Sequence, residues 1–155
     1  MELYLLRHAD ADTIAETDDE RALSEKGESQ AKKVARLCEA QGLAGVRMLS
    51  SPVRRALQTA DIVARHLQVE LTVVPWLACG MRPQKALNEL QEYADEKAVV
   101  IVGHEPDFSA LAAHLLGMPS GAQIEIRKAS LTLLAVQSLE NGGARLDFCV
   151  PCRLM

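Results

Sequence analysis

Four consecutive residues, Val99-Val100-Ile101-Val102, are all apolar. Successive side chains of a strand face opposite sides of a sheet, so a strand that is apolar throughout must be covered on both. That requirement points to a central strand of a parallel sheet between two helical layers. Two other short apolar runs, Leu3–Leu6 and Val46–Leu49, suit the same sheet. The three runs stop at Gly103-His104, Arg7-His8 and Ser50-Ser51 respectively. Ligands of open α/β sheets bind outside the carboxyl ends of the strands, so these residues stand at the lip of the crevice. An Arg-His pair there suits an anionic substrate attacked by imidazole, although a strand can also simply end in two solvated polar residues.

The rest of the chain alternates between helix and strand patterns. Asp10 to Glu20 is acidic and aperiodic, and reads as a solvated loop rather than a metal site. Ser24 is placed to cap a helix running to Gly42, with Ala31, Val34, Ala35 and Cys38 inward and Leu37 at the flank. Ser51-Pro52 offers a cap and a first-turn proline for a second helix reaching about His66. On that helix Arg54 aligns with Gln58, Asp61 and Arg65, a polar stripe that faces water. Arg55 aligns with Thr59, Ile62 and His66, a stripe able to turn inward at its start. His66, two turns further on, is a helix-face residue. Leu71–Val74 is a third strand, Trp76–Pro83 a loop, and Gln84–Tyr93 a helix with Leu87 and Leu90 inward. Pro106-Asp107 opens a helix burying Phe108, Leu111, Ala112 and Leu115, with His114 at its boundary and Gly117 after it. Leu131–Val136 and Arg145–Val150 complete six strands, with Asn141-Gly142-Gly143 turning between them.

Composition narrows the class further. A chain of 155 residues is one domain of ordinary size, and with 48% apolar but 3% aromatic residues its core is aliphatic. A net charge of −4 argues against nucleic acid held over a broad face. No apolar run is long enough to span a membrane, and Arg7 and His8 interrupt the one N-terminal stretch that could resemble a signal peptide. The expected location is the cytoplasm. Cys149-Val150-Pro151-Cys152 has redox-motif spacing, but no helix follows it and no second ligand pair matches it as a zinc site. Structural thiols in a reducing compartment are the better account.

In this order, Arg7-His8, the stretch Ser50-Ser51-Pro52-Val53-Arg54-Arg55-Ala56-Leu57-Gln58-Thr59-Ala60, and Gly103-His104 resemble the histidine phosphatase (phosphoglycerate mutase-like) superfamily. Its marks are Arg-His-Gly after the first strand, a Ser-rich turn leading to Arg-Ala-x-Gln-Thr, and a later Gly-His. Within the superfamily the chain is most similar to the small SixA-type phosphohistidine phosphatases. The likeness spans nearly the whole chain, including Leu23-Ser24-Glu25-Lys26-Gly27 and the Pro151-Cys152 ending. It implies an α/β fold: three layers, α/β/α, around a mostly parallel six-stranded sheet with one antiparallel strand. Residues 1–155 would form a single domain, with no room between the third and fourth strands for the large insertion of the mutase branch.

The same resemblance assigns roles. His8 would be the nucleophile, forming a phosphohistidine intermediate, and Arg7 and Arg55 would grip the phosphoryl oxygens with forked hydrogen bonds. His104, cationic with phosphate bound, would stabilise charge growing in the transition state. No metal and no cofactor would be needed. Two positions depart from the pattern. Ala9 replaces the usual Gly, which is tolerable where φ is negative and the substrate does not need the space. The insertion whose Glu supplies the general acid in the mutase branch is missing; in the acid phosphatases of the superfamily an Asp follows the second His, and Glu105 stands at that position here, as a candidate acid or else as a carboxylate at a helix start. The implied reaction is dephosphorylation of a protein phosphohistidine, of phosphotransfer or histidine-kinase type, by a monomeric enzyme without nucleic-acid or membrane partners. A small-molecule phosphomonoesterase or mutase on the same site, and a non-catalytic phosphoprotein-binding module, are the alternatives.

Overall fold

The computed structural model describes residues 1–119 and 124–155. Its centre is a six-stranded sheet in the order β3-β2-β4-β1-β5-β6. The strands are β1 (Glu2–Arg7), β2 (Arg47–Ser50), β3 (Leu71–Val73), β4 (Ala98–Gly103), β5 (Leu131–Val136) and β6 (Ala144–Val150). β1, β2, β3 and β4 pair in parallel; β5 runs antiparallel to both β1 and β6. One antiparallel strand in six is what the resemblance implied.

The period-2 alternation of the central strands divides the core in two. Tyr4, Leu6, Met48, Val100 and Val102 meet α1 (Glu25–Ala40) and α2 (Arg54–Leu67), whose inward faces are rich in alanine. Leu3, Leu5, Leu49, Val99 and Ile101 meet α3 (Pro83–Leu90) and α4 (Asp107–Leu115), with Phe108, Leu111 and Leu115 fully covered. β4 is buried at every residue. The central run therefore has helices on both faces, as its composition required.

Several boundaries differ from expectation. α1 is capped by Ser24, whose Oγ accepts from Gly27 N at 3.1 Å, and Gly42 follows it with φ +73°. α2, however, starts at Arg54 with Val53 as its cap residue, not at Ser51-Pro52. The Ser51 hydroxyl instead accepts from Val53 N at 3.2 Å and turns the chain into the helix from outside it. Trp76 is buried within a 3₁₀ turn, Pro75–Leu77, rather than in an open loop. The helix expected over Gln84–Tyr93 is α3 followed by a 3₁₀ turn, Gln91–Tyr93. Between β3 and β4 lie only α3 and these two short turns. All four cysteines are free thiols; Cys38 and Cys152 are buried, Cys79 and Cys149 exposed.

Register brings the strand ends together. Arg7 pairs with Gly103 and Ser50 with Val102, so the residues that follow, His8, His104 and Ser51, leave the sheet side by side. Two backbone bonds fix this arrangement: His8 N to Gly103 O and Ser51 N to Val102 O, each 3.0 Å.

Candidate active site

His8 is buried, and its two ring nitrogens have different neighbours. Nδ1 lies 2.8 Å from the Ala9 carbonyl, which can only accept, so this nitrogen carries the proton. Nε2 then holds the lone pair, and Arg55 Nε donates to it at 3.3 Å. Burial pushes the His8 pKa down to about 3, opposed by the Ala9 carbonyl and reinforced by His104, Arg55 and Arg7. The imidazole is therefore neutral at physiological pH, in the tautomer that leaves Nε2 basic. Ala9 is fully buried and has no positive φ, so the backbone condition for replacing the usual Gly is met. Its N–H donates to Thr59 Oγ1 at 3.1 Å, and the Thr59 hydroxyl donates to the Arg55 carbonyl at 2.7 Å. The turn after β1 is thereby tied to the first turn of α2.

The two neighbouring arginines separate as their faces predict. Arg54 is exposed, while Arg55 keeps 5% of its surface and points inward. Beyond its bond to His8, Arg55 gives Nη1 to the Asp18 carbonyl oxygen at 2.6 Å and Nη2 to the Asp18 carboxylate at 2.9 Å. The acidic loop is thus solvated in large part, but Asp18 reaches back to cap the guanidinium. Nothing in local sequence pattern marks that role. Cys79 Sγ lies 3.7 Å from Arg55 Nη2, and buried Asp107 accepts from Gly80 N and Met81 N at 2.8 and 3.1 Å, fixing the segment beside it.

His104 stands opposite His8, with ring centroids 5.3 Å apart and planes inclined by 53°. Its Nε2 is 2.8 Å from Ser51 Oγ, and its buried Nδ1 has no partner among the described residues. Burial and, next, Arg55 lower its pKa to about 4 against the opposing pull of Asp19 and Asp18. In the free protein at neutral pH His104 is therefore neutral. Arg7 gives Nη1 to the Ile126 carbonyl at 2.9 Å, and its buried Nε is unpaired among the described residues. Desolvation lowers its pKa, while nearby Glu105 and Glu125 work against that. Glu105 is half-buried; one oxygen accepts from the Ser109 hydroxyl, and the other is buried and unpaired among the described residues. Burial raises its pKa despite the Ser109 hydrogen bond and the Arg7 charge.

His8, Arg55, His104 and Ser51 are thus brought together, with Arg7 and Glu105 beside them. His66 is on an exposed helix face, where Nε2 meets Glu39 at 3.0 Å, and His114 sits at a boundary; neither joins the site. No group of three or more His, Cys, Asp or Glu side chains is placed to hold a metal ion among the described residues. Nor is any helix of the described residues long and apolar enough to cross a membrane. A neutral imidazole with one basic nitrogen, ringed by guanidinium groups, is suited to attack a phosphoryl group whose oxygens those cations neutralise.

Known proteins resemble this chain in sequence and in fold. An uncharacterised protein of Picosynechococcus sp. (strain PCC 7002) is 35% identical over 156 residues, covering 95% of this chain and 89% of that protein. The solved structure of the protein histidine phosphatase SixA complexed with tungstate has the same fold, with a TM-score of 0.88 at 24% identity over the full length of both chains. The structure of the α-ribazole phosphatase from Shigella flexneri superposes with a TM-score of 0.81 at 18% identity, covering 98% of this chain and 97% of that one. Residues 3–78, which hold the Arg7-His8 and Arg55 motifs, match the family described as histidine phosphatase superfamily, branch 1. The fold, the motif order and the paired histidines at the strand ends lead to one assignment: this chain belongs to the histidine phosphatase superfamily.

Proposed function

We propose that this protein is a phosphohistidine phosphatase that removes the phosphoryl group from a histidine on a protein surface. The observation that carries the reading is the His8 ring, held neutral with Nε2 unprotonated and directed at Arg55. Nε2 attacks phosphorus in line; the phosphorus–nitrogen bond to the substrate breaks as a bond to His8 forms. Arg55 exchanges Asp18 for the equatorial oxygens, Arg7 supplies its guanidinium, and His104 takes up a proton as negative charge gathers beside it. Water then hydrolyses phospho-His8. No metal enters this scheme, because the chain's own cations neutralise the phosphoryl group.

The substrate class follows from access and leaving group. With only α3 and two short turns between β3 and β4, little chain is available to enclose a small molecule. A phosphohistidine displayed on a protein reaches such a crevice. Its leaving imidazole has a reference pKa of about 6.5 and departs as a neutral ring after protonation from solvent, whereas an alkoxide needs a positioned acid. Free thiols suit a reducing cytoplasm, and we read the enzyme as a monomer there. A second reading, a small-molecule phosphomonoesterase, is favoured by Glu105, whose raised pKa, with one oxygen unpaired among the described residues, equips it to protonate an alkoxide.

Turnover measured in parallel on phosphohistidine protein, free phosphohistidine, 3-phosphoglycerate and sugar phosphates separates the two. The expected result is the highest kcat/KM on phosphohistidine protein, retained in EDTA, inhibited by vanadate and abolished in a folded His8→Ala variant. Efficient sugar-phosphate turnover that collapses in Glu105→Gln, with negligible activity on phosphohistidine, overturns the proposal in favour of the second reading.

A further inference from the structure

On one side of Arg7 the surface opens into a groove of about 640 Å³ with a charge unlike that of the rest of the molecule. Arg7, Lys26, Lys33, Arg127, Lys128 and Arg153 line it against a single carboxylate, Asp10, in a chain whose net charge is −4. Three separate elements contribute. Lys26, Ser29, Gln30 and Lys33 form one stripe of α1 at the i, i+3, i+4, i+7 spacing of a single helix face. Arg127 and Lys128 come from the chain entering β5, with Lys128 Nζ fixed 2.7 Å from Asp10. Arg153 stands on the C-terminal 3₁₀ turn, Cys152–Leu154, which buried Cys152 seats against α1, its Sγ 3.9 Å from the Gln30 carbonyl. Lys26, Lys33 and Arg153 have no carboxylate within ion-pair distance among the described residues. On the other flank Arg7 borders a hollow lined by Glu105 and Glu125. The charge of the lining residues therefore changes sign across Arg7, with Arg127 of the groove paired to Glu125 of the hollow at 3.0 Å.

Resting on the phosphohistidine phosphatase reading, we propose that this groove docks an acidic surface surrounding the phosphohistidine of the protein substrate. A phosphoryl group held by Arg7 places the neighbouring residues of its carrier at the mouth of the groove. Unpaired cations there attract carboxylates and speed encounter, whereas the two glutamates on the opposite flank repel them. The groove thus selects which phosphohistidine is presented, and leaves the chemistry at His8 unchanged. The solvated role that surface lysines commonly fill gives no reason for cations from three elements to converge beside one end of the catalytic crevice.

The test uses phosphohistidine in three peptides of equal length, flanked by Glu, Gln or Lys, together with free phosphohistidine. They are assayed with the full chain and with the combined variant Lys26→Glu, Lys33→Glu, Arg153→Glu, whose positions are all exposed. The wild type should favour the Glu-flanked over the Lys-flanked peptide by about tenfold or more in kcat/KM, and added salt should shrink that ratio. The variant should lose or invert the order while hydrolysing free phosphohistidine as the wild type does. Equal kcat/KM for the three peptides in the wild type, or an order that persists in the variant, overturns the groove proposal alone. Failure of the wild type on free phosphohistidine and on all three peptides, with phosphate esters still cleaved, overturns the underlying reading and the groove with it.

Discussion

Arg54 and Arg55 are adjacent in sequence, yet one faces water and the other His8. The 100° step of an α-helix is enough to part them, and only the inward one can reach a phosphoryl group. Replacing Arg55 by Ala should lower kcat by about 10²-fold, the loss typical of one charged contact to a transition-state oxygen. Arg54→Ala should change it by less than about threefold, since exposed polar contacts are worth little. Steady-state kinetics of the two variants on one substrate checks this, and equal effects would contradict the inward placement of Arg55.

At the scale of elements, two packings hold the site together. The first turn of α1 rests on the turn after β1, where Ser24 N donates to the Asp10 carbonyl at 3.1 Å. Gly27 permits that approach, because a Cβ there would lie 1.9 Å from the same Asp10 oxygen. Ala in a helix gains up to about 1 kcal/mol over Gly, but a clash with backbone cannot be relieved by rotating a side chain. Gly27→Ala should therefore lower stability by about 1–3 kcal/mol, read as a shift in urea midpoint at unchanged slope. The second packing is the loop carrying Asp18, which occupies Arg55 through a carboxylate that is 62% exposed. An ion pair with one partner so exposed is worth less than about 1 kcal/mol. Asp18→Asn should thus tighten vanadate inhibition by about two- to fivefold, while loss of inhibition would mean that Asp18 helps to hold the oxyanion.

For the whole molecule, burying two imidazoles side by side makes stability depend on pH. The folded pKa values lie near 3 for His8 and 4 for His104, below the 6.5 of an unfolded histidine. The unfolded chain therefore binds more protons in that window, so these groups leave stability intact above about pH 6.5 and erode it as pH falls from there towards 4 and 3. Their rings are only 5.3 Å apart, so the erosion belongs to the pair. Between pH 7 and pH 5 the two histidines together should cost the wild type about 4 kcal/mol in urea melts, and a His8→Asn, His104→Asn variant should lose distinctly less. An equal loss in both proteins would place the acid sensitivity elsewhere, with the carboxylates.

Much of this could be read before any coordinates, because period 2 in strands and period 3.6 in helices are properties of local covalent geometry. Val99–Val102 required helices on both faces, the Ala31–Cys38 stripe chose its inward side, the strand ends already pointed to His8 and His104, and helix periodicity with the family resemblance added Arg55. The tertiary structure decided what depends on approach between distant segments. Ser51 is drawn from a helix cap towards His104 because β2 and β4 pair in register. Asp18 reaches Arg55 across 37 positions of sequence, and no local period records that contact. The same holds for electrostatics: burial makes both histidines neutral in the free protein, and gathers cations from α1, the chain before β5 and the C-terminal turn in a molecule whose total charge is negative. Composition gives the sum of the charges, and only the fold sets where they meet and how much water surrounds them.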